Sequence, residues 1–205
     1  MNSSFKIIPE NTKGKHTDVE HSFTAGNREE ALDIFKRAAK RMLNINIWHQ
    51  LGGFATADFF LTDTKGETIE RLGASGDFIK IDIQGPGPSV GDGYDWVRIE
   101  ALEDRSDPGG NEESIAMRLR SCKKPGQEGD DTAHFFTSDA TSTFIIYRKQ
   151  NEITSFYHGR NEVLNTDTAK TLDNLRNILM GGVALIGVSE LQWSALIKSF
   201  LEREV

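Results

Sequence analysis

The sequence of 205 residues predicts an α+β fold, in which an antiparallel meander sheet of about seven strands packs against an N-terminal helix and C-terminal helices. Apolar residues recur every three to four positions between residues 27 and 53, every second position between residues 54 and 158, and at helical spacing again after residue 158. Turn-rich segments at 85–93, 104–111 and 123–131 separate the alternating stretches, as the connections of a meander do. We expect residues 24–205 to form one domain, preceded by an N-terminal segment, 1–23.

The N-terminal segment is polar and weakly patterned, and one short strand is predicted in it at residues 5–8. The first helix has a clear start, because Asn27 is suited to the N-cap and Glu30 has the capping-box position. We expect the glycine pair at 52–53 to end this helix. Its predicted apolar face consists of Ala31, Ile34, Phe35, Ala38, Met42 and Ile45, and Trp48 and Leu51 continue it.

Three stretches alternate cleanly and predict strands at 77–84, 96–101 and 115–120. Strands with one apolar and one charged face are typical of an antiparallel sheet with one side in water. The predicted apolar face consists of Ile79, Ile81, Ile83, Val97, Ile99, Ala101, Ile115, Met117 and Leu119. The opposite face consists of Lys80, Asp82, Trp96, Arg98, Glu100, Ala116, Arg118 and Arg120.

Four further strands are predicted at 56–62, 133–137, 142–148 and 153–158, and the last two form a hairpin that turns at 149–152. The pattern after residue 158 is helical, with an apolar stripe from Leu172 to Leu179. We expect this helix to end at Gly187. Ser189 and Gln192 form a second capping box that opens a last helix, with Leu191, Leu196, Ile197 and Phe200 buried.

Composition excludes several classes of protein. The single cysteine, Cys122, excludes a disulfide framework and a cysteine-rich zinc module. A net charge of -7 argues against general binding to nucleic acid or anionic membranes. The longest nearly apolar run, 179–188, is about half the length that a bilayer requires, and the N-terminus lacks a signal pattern. We expect a soluble, cytoplasmic protein.

Motifs for cofactors, metals and nucleophiles are absent from the sequence. The glycine-rich loop 85–93 lies between two strands, and no helix begins there to complete a phosphate-binding loop. No paired histidine spacing predicts a zinc site, and no Gly-x-Ser-x-Gly elbow surrounds a serine. We therefore predict no cofactor, no metal and no catalytic residue.

The most concentrated polar stretch lies at 157–162, at the junction of the last strand with the helical region. Histidine is a residue type that serves in proton transfer and binding, which makes His158 a candidate; Arg160 suits a carboxylate or phosphate, and Glu162 can pair with either. A polar corner that ties the strand to the helix is the alternative interpretation. The predicted ligand-binding residues are Trp48, Trp96, His134, His158, Arg160, Asn161 and Glu162. For the tryptophans the alternative is packing in the core. For His134 the alternative is a position on the sheet surface in which its hydrogen bonds are satisfied.

The order of a short N-terminal strand, a helix, a meander and a C-terminal helix resembles the helix-grip superfamily, which includes START-like and polyketide-cyclase-like domains. Trp48 after the first helix, followed by Phe59-Phe60-Leu61, is similar to the entry into such a sheet. The resemblance implies a cavity between sheet and helix that binds a hydrophobic small molecule.

Two functions of different classes follow. The first is a non-enzymatic module that binds an apolar or amphipathic small molecule between the sheet and the C-terminal helix. The alternative is an interaction or assembly factor, with a protein partner or a homodimer, that uses the loop 85–95 and the apolar segment 181–188. An enzyme centred on His158 and Glu162 is a third possibility.

Overall fold

The computed structural model of the chain describes residues 5–52, 57–83, 91–129, 131–165 and 184–202. The elements in chain order are β1 (Lys15–Thr24), α1 (Arg28–Leu43), a 3-10 turn (Ile45–Ile47), α2 (Trp48–Leu51), β2 (Ala57–Thr62), β3 (Phe78–Ile83), β4 (Asp95–Arg105), β5 (Glu112–Ser121), β6 (Thr141–Lys149), β7 (Glu152–Glu162) and α3 (Ala184–Leu201). The predicted α+β class is confirmed.

The strands form one seven-stranded antiparallel sheet in the order β1-β7-β6-β5-β4-β3-β2. Strands β2 to β7 follow one another as the predicted meander, and β1 joins it beside β7. The strand predicted at residues 5–8 is wrong, because that segment forms a turn and the N-terminal strand is Lys15–Thr24. In β1 only Val19 and Phe23 are apolar residues packed on the core, which is too few for a clear alternation.

Helices α1 and α3 cover one face of the sheet, which we call the inner face. Ala31, Ile34, Phe35, Ala38 and Met42 are buried there, as predicted. The cap is also confirmed: the Asn27 side chain accepts the Glu30 N–H at 2.9 Å, and the Glu30 carboxylate accepts the Gly26 N–H at 2.8 Å. The helix ends earlier than predicted, at Leu43. A 3-10 turn and α2 then continue to Gly52.

The opposite, outer face was expected to lie in water, but residues 5–14, the N-terminal strap, cover part of it. Ile7 is buried against Ala116 and Ile145. The Phe5 ring lies 5.7 Å from the ring of Tyr147 and 6.2 Å from that of Phe156. A second, smaller apolar cluster therefore lies between the strap and the sheet.

A β-bulge in β4 corrects one predicted face. Ile99 pairs with Leu119, but Ala101 pairs with Arg118, so that β4 has one extra residue at Glu100. Ala101 consequently packs with the outer cluster, and Leu102 packs on the inner core in its place. The prediction that Ala101 shares a face with Ile99 is wrong.

Two further predictions fail near the end of the sheet at which β7 finishes. Residues 133–137 form no strand, and they pair with 163–165 through a single bridge between Phe136 and Leu164. Gly187 and Ser189 lie inside α3, so no helix ends or begins there. Leu196, Ile197 and Phe200 are buried as predicted, whereas Leu191 is 73% exposed. The helix predicted after residue 165 lies outside the described residues up to Ala184.

Candidate functional site

A chain of polar side chains lies on the inner face where β7 ends. The hydroxyls of Tyr157 and Ser142 are 3.1 Å apart, and the Tyr157 hydroxyl also contacts the Glu162 carboxyl. The Thr17 hydroxyl donates to Glu162 Oε2 at 3.0 Å. Four polar groups from β1, β6 and β7 are thereby linked on a face that is otherwise apolar.

The bulge in β7 explains why Glu162 belongs to this chain. Thr17 pairs with Gly159 and Lys15 pairs with Glu162, so that β7 has one extra residue between these pairs. Asn161 lies in this bulge with φ 55°. The extra residue returns Glu162 to the face of Tyr157, and its side chain folds back over Gly159.

Trp193 of α3 covers the polar chain. Its ring stacks on the Tyr157 ring at 5.2 Å and 15°, and it meets the Phe144 ring edge-on at 5.5 Å. Phe59 of β2 lies 6.2 Å away on the same side. The site therefore has aromatic walls and a polar end, the composition that small-molecule sites prefer.

Burial raises the pKa values of the two acidic groups at this polar end. It raises the pKa of the Glu162 carboxyl, and the nearby charge of Glu190 acts in the same direction against the Thr17 hydrogen bond and the charge of Lys15. Burial and the charge of Glu162 raise the pKa of Tyr157. Lys15 and Glu190 form an ion pair of 3.3 Å beside them. A carboxyl that retains its proton can donate a hydrogen bond, which an ordinary carboxylate cannot.

The other half of the inner face is filled by protein side chains. Trp48 is fully buried, and its ring lies 5.0 Å from Phe144, 5.6 Å from Phe59 and 6.2 Å from Phe200. Its indole N–H donates to the Met42 carbonyl at 3.2 Å. The core-packing interpretation therefore describes Trp48, and the end near Tyr157 is the candidate site.

The structure separates His158 and Arg160 from the inner face. Both side chains lie on the outer face, where they share Asp18: His158 Nδ1 is 2.5 Å and Arg160 Nη2 is 2.7 Å from its Oδ1. His158 also stacks on Phe156 of the outer cluster. Of the predicted polar group at 157–162, only Tyr157 and Glu162 belong to the inner chain.

Asn161 holds the N-terminal strap. Its Oδ1 accepts the N–H groups of Thr12 and Lys13 at 2.8 and 3.2 Å, and its Nδ2 donates to the Glu10 carbonyl at 3.0 Å. Its own N–H donates to the Asn11 side chain at 2.7 Å. These contacts tie the strap to the end of β7.

Trp96 and His134 help to close one end of the sheet, and they are not part of the aromatic walls formed by Trp193, Phe144 and Phe59. The Trp96 indole N–H donates to the Gly91 carbonyl at 3.2 Å on the outer side. His134 Nδ1 accepts the Phe136 N–H at 3.0 Å and lies 3.2 Å from the Ser121 hydroxyl. Burial lowers the pKa of His134 to about 3, so the ring is neutral. His134 is thus buried and satisfied, rather than placed on the sheet surface.

Sequence reasoning missed Ser142, Thr17 and Trp193 as partners in one site. Successive side chains of β7 alternate between the two faces of the sheet, so the sequence places Tyr157 on the face opposite to that of His158. This alternation was the signal that could have identified Tyr157 as part of the inner site. No such signal exists for Glu162, because the bulge reverses its face. Among the described residues no three His, Cys, Asp or Glu side chains come together as a metal site.

The assembly alternative was assigned to residues 85–95 and 181–188. Residues 84–90 and 181–183 lie outside the described part of the chain, and this alternative stays a prediction. No described helix is long and apolar enough to cross a membrane.

The comparisons with known proteins concern the fold. No protein-family model and no curated protein matches the sequence. Among solved structures, the chain is similar to Ara h 8.0201 (12% identity, TM-score 0.36, covering 92% of this chain and 100% of that one). It is also similar to truncated norcoclaurine synthase from Thalictrum flavum (14% identity, TM-score 0.36, covering 96% of this chain and 100% of that one). A third similar structure is the Zhui aromatase/cyclase from Streptomyces sp. R1128 (11% identity, TM-score 0.35, covering 90% of this chain and 94% of that one).

The element order itself, a strand, helices, a six-stranded meander and a C-terminal helix on one face, confirms the predicted architectural resemblance. The architecture resembles that of helix-grip domains. What the neighbouring proteins bind or catalyse is a property of those proteins.

Proposed function

We propose that this chain is a non-enzymatic binding module, which holds an apolar or amphipathic small molecule between the inner face of the sheet and α3. The observation that carries the proposal is the Ser142–Tyr157–Glu162–Thr17 chain beneath Trp193. A face that only packs on helices needs no such groups, because burial of hydroxyls and carboxyls is unfavourable unless they are hydrogen-bonded.

The same residues indicate which ligand would fit. Trp193 is a partly exposed ring beside the buried rings of Phe144 and Phe59, and the polar chain places hydroxyl and carboxyl groups at one end. Ser142 and Glu162 can each accept from a hydroxyl group or donate to a carbonyl group when they carry the proton. The preferred ligand is therefore an aromatic or alicyclic molecule with one neutral polar group, its apolar part lying against Trp193.

The test compares two probes that differ in one hydroxyl, 2-naphthol and naphthalene, titrated against tryptophan fluorescence. We expect Tyr157→Phe to weaken the binding of 2-naphthol about five- to tenfold and to leave naphthalene binding unchanged, because only a hydrogen bond is removed. Tyr147→Phe is the matched control, since this tyrosine packs on the outer cluster.

The location is tested with tryptophan variants. Trp193→Phe should abolish most of the quenching by 2-naphthol, whereas Trp96→Phe should preserve it, because Trp96 lies on the outer side. Saturable quenching that survives Trp193→Phe unchanged would place the probe elsewhere and would contradict the proposal.

A further inference from the structure

We propose that the outer face carries a second binding site, for the oxyanion of a phosphate group, in a furrow on β6. The floor of the furrow consists of Thr141 and Thr143. In the register of the sheet, Thr143 stands between Arg118 of β5 and His158 of β7, and Thr141 stands between Arg120 and Arg160. Two short side chains thus lie in a row between four long ones.

The floor has hydrogen-bonding groups without partners. Thr143 and Thr141 are buried, and neither Oγ1 atom has a hydrogen-bond partner in the part of the chain that the structure describes. Buried hydroxyls are nearly always hydrogen-bonded, because leaving one unpaired is unfavourable by about 1–3 kcal/mol. Thr154, on the same face of β7, shows the ordinary situation: its hydroxyl lies 2.8 Å from that of Ser22.

The walls contain more donors than acceptors. Arg118 Nε and Arg120 Nε donate to the two oxygens of Glu100 at 2.6 and 2.7 Å, and Arg160 donates to Asp18 at 2.7 Å. Three guanidinium groups therefore face two carboxylates, which leaves one positive charge when His158 is neutral. Guanidinium groups can only donate, so the three arginines offer the threonine hydroxyls no acceptor.

The N-terminal strap crosses the furrow. The Ile7 carbonyl accepts from Arg118 Nη1 on β5 at 2.7 Å, and the Glu10 carbonyl accepts from Asn161 on β7 at 3.0 Å. Because β6 lies between β5 and β7, the chain between these two anchors crosses β6 on the outer face, which is the face of Thr141 and Thr143. A strap in this position shields the furrow from water, which strengthens the interaction of an anion with the arginines.

A tetrahedral oxyanion matches this set of groups. It supplies acceptors to both threonine hydroxyls and to the arginine nitrogens that make no hydrogen bond among the described residues, Arg118 Nη2, Arg120 Nη2 and Arg160 Nε. It also offsets the positive charge of the walls. The site lies on the opposite side of the sheet from Trp193, and it is independent of the proposed function.

The experiment measures inorganic phosphate binding to the full chain by phosphorus NMR at constant ionic strength. We expect saturable binding, and we expect Thr141→Val combined with Thr143→Val to weaken it about tenfold, because two donors are lost without loss of charge. Thr154→Val is the matched control and should bind as the original chain does. Arg120→Gln, which removes one charge, should also weaken binding and serves if the double variant fails to fold.

A second arm replaces phosphate with glycerol 1-phosphate. Binding of both compounds indicates that a free phosphate group suffices, and binding of the ester alone indicates a phosphorylated organic ligand. Absence of saturable binding by either compound, or equal binding by the original chain and the double threonine variant, would overturn the proposal.

Discussion

Asp95 is a buried carboxyl that makes a single hydrogen bond within the described part of the chain. It lies on the inner side of β4, and its Oδ1 accepts the Phe135 N–H at 2.8 Å. One neutral donor does not replace the water that burial removes, and burial raises the pKa of Asp95 to about 7. Asp95 therefore stabilises this end of the sheet most when its carboxyl group is protonated.

This carboxyl should make stability depend on pH. Between the pKa of the unfolded chain, about 3.9, and the folded value of about 7, the folded state binds more protons, so the free energy of unfolding falls as pH rises. The expected loss is up to roughly 4 kcal/mol. Asp95→Asn should remove it, because the amide oxygen still accepts the Phe135 N–H, and urea unfolding between about pH 4 and about pH 8 measures the difference.

Asp58→Asn is the control, because Asp58 is exposed on β2. A stability difference between the original chain and Asp95→Asn that stays constant over this pH range would show that Asp95 does not titrate as described.

Residue types alone were a poor guide to the site. His158, Arg160 and Glu162 are adjacent in sequence and chemically attractive, but alternation in β7 and the bulge at Asn161 divide them between two faces. Tyr157, which alternation assigns to the face opposite His158, lies in the inner chain. Glu162 could not have been placed from the pattern, because the extra residue of a bulge leaves no mark in hydrophobic periodicity.

At the scale of elements, an ion pair secures the end of the sheet opposite the candidate site. Arg148 of β6 is fully buried and donates through Nε to Glu113 of β5 at 2.5 Å. Its remaining nitrogens donate to the carbonyls of Gln150 and Gly110 at 3.0 and 3.1 Å. One side chain thus joins β5, β6 and the two connections beside them.

Arg148→Met should lower the free energy of unfolding by about 3–5 kcal/mol, because it leaves the Glu113 carboxylate buried without its cation. The combined change of Arg148→Met and Glu113→Leu should recover much of this loss. Chemical denaturation measures both. The neighbouring pair Lys149–Glu112 is exposed, and Lys149→Met should have little effect. Equal effects of Arg148→Met and Lys149→Met would refute the special role of burial.

Elements with a strong local pattern were predictable. The capped start and apolar face of α1, the strands β2 to β7 and their hairpin connections all follow from periodicity and turn residues. The strand β1 was missed because its contribution to the core is small, and its stability comes from pairing with β7. The predicted strand at 133–137 has β-forming residues, but the bridge that it forms with the described residues is a single one, to Leu164.

At the scale of the whole molecule, the N-terminal strap holds the outer apolar cluster away from water. Ile7→Asp should release the strap, because a charge would otherwise be buried among Ala116, Ile145 and Phe5. The sheet and its inner core should remain folded, since neither includes Ile7. We expect trypsin to cut at Lys13 much faster and light scattering to show self-association through the uncovered patch.

Lys6→Asp, a change of charge on an exposed position of the strap, is the control. Global unfolding of Ile7→Asp, seen as loss of the circular dichroism signal of the sheet, would contradict a strap that detaches separately from the core.

The placement of β1 beside β7 has a consequence for the order in which the strands pair during folding. Six strands can form by successive hairpins between neighbours, which are fast local steps. The sixth pairing, that of β1 with β7, joins segments as distant as His21 and Ser155, 134 positions apart, and the entropy cost of closing so long a loop opposes it until the contacts have formed. During synthesis from the N-terminus, β1 leaves the ribosome first and finds its place in the sheet last.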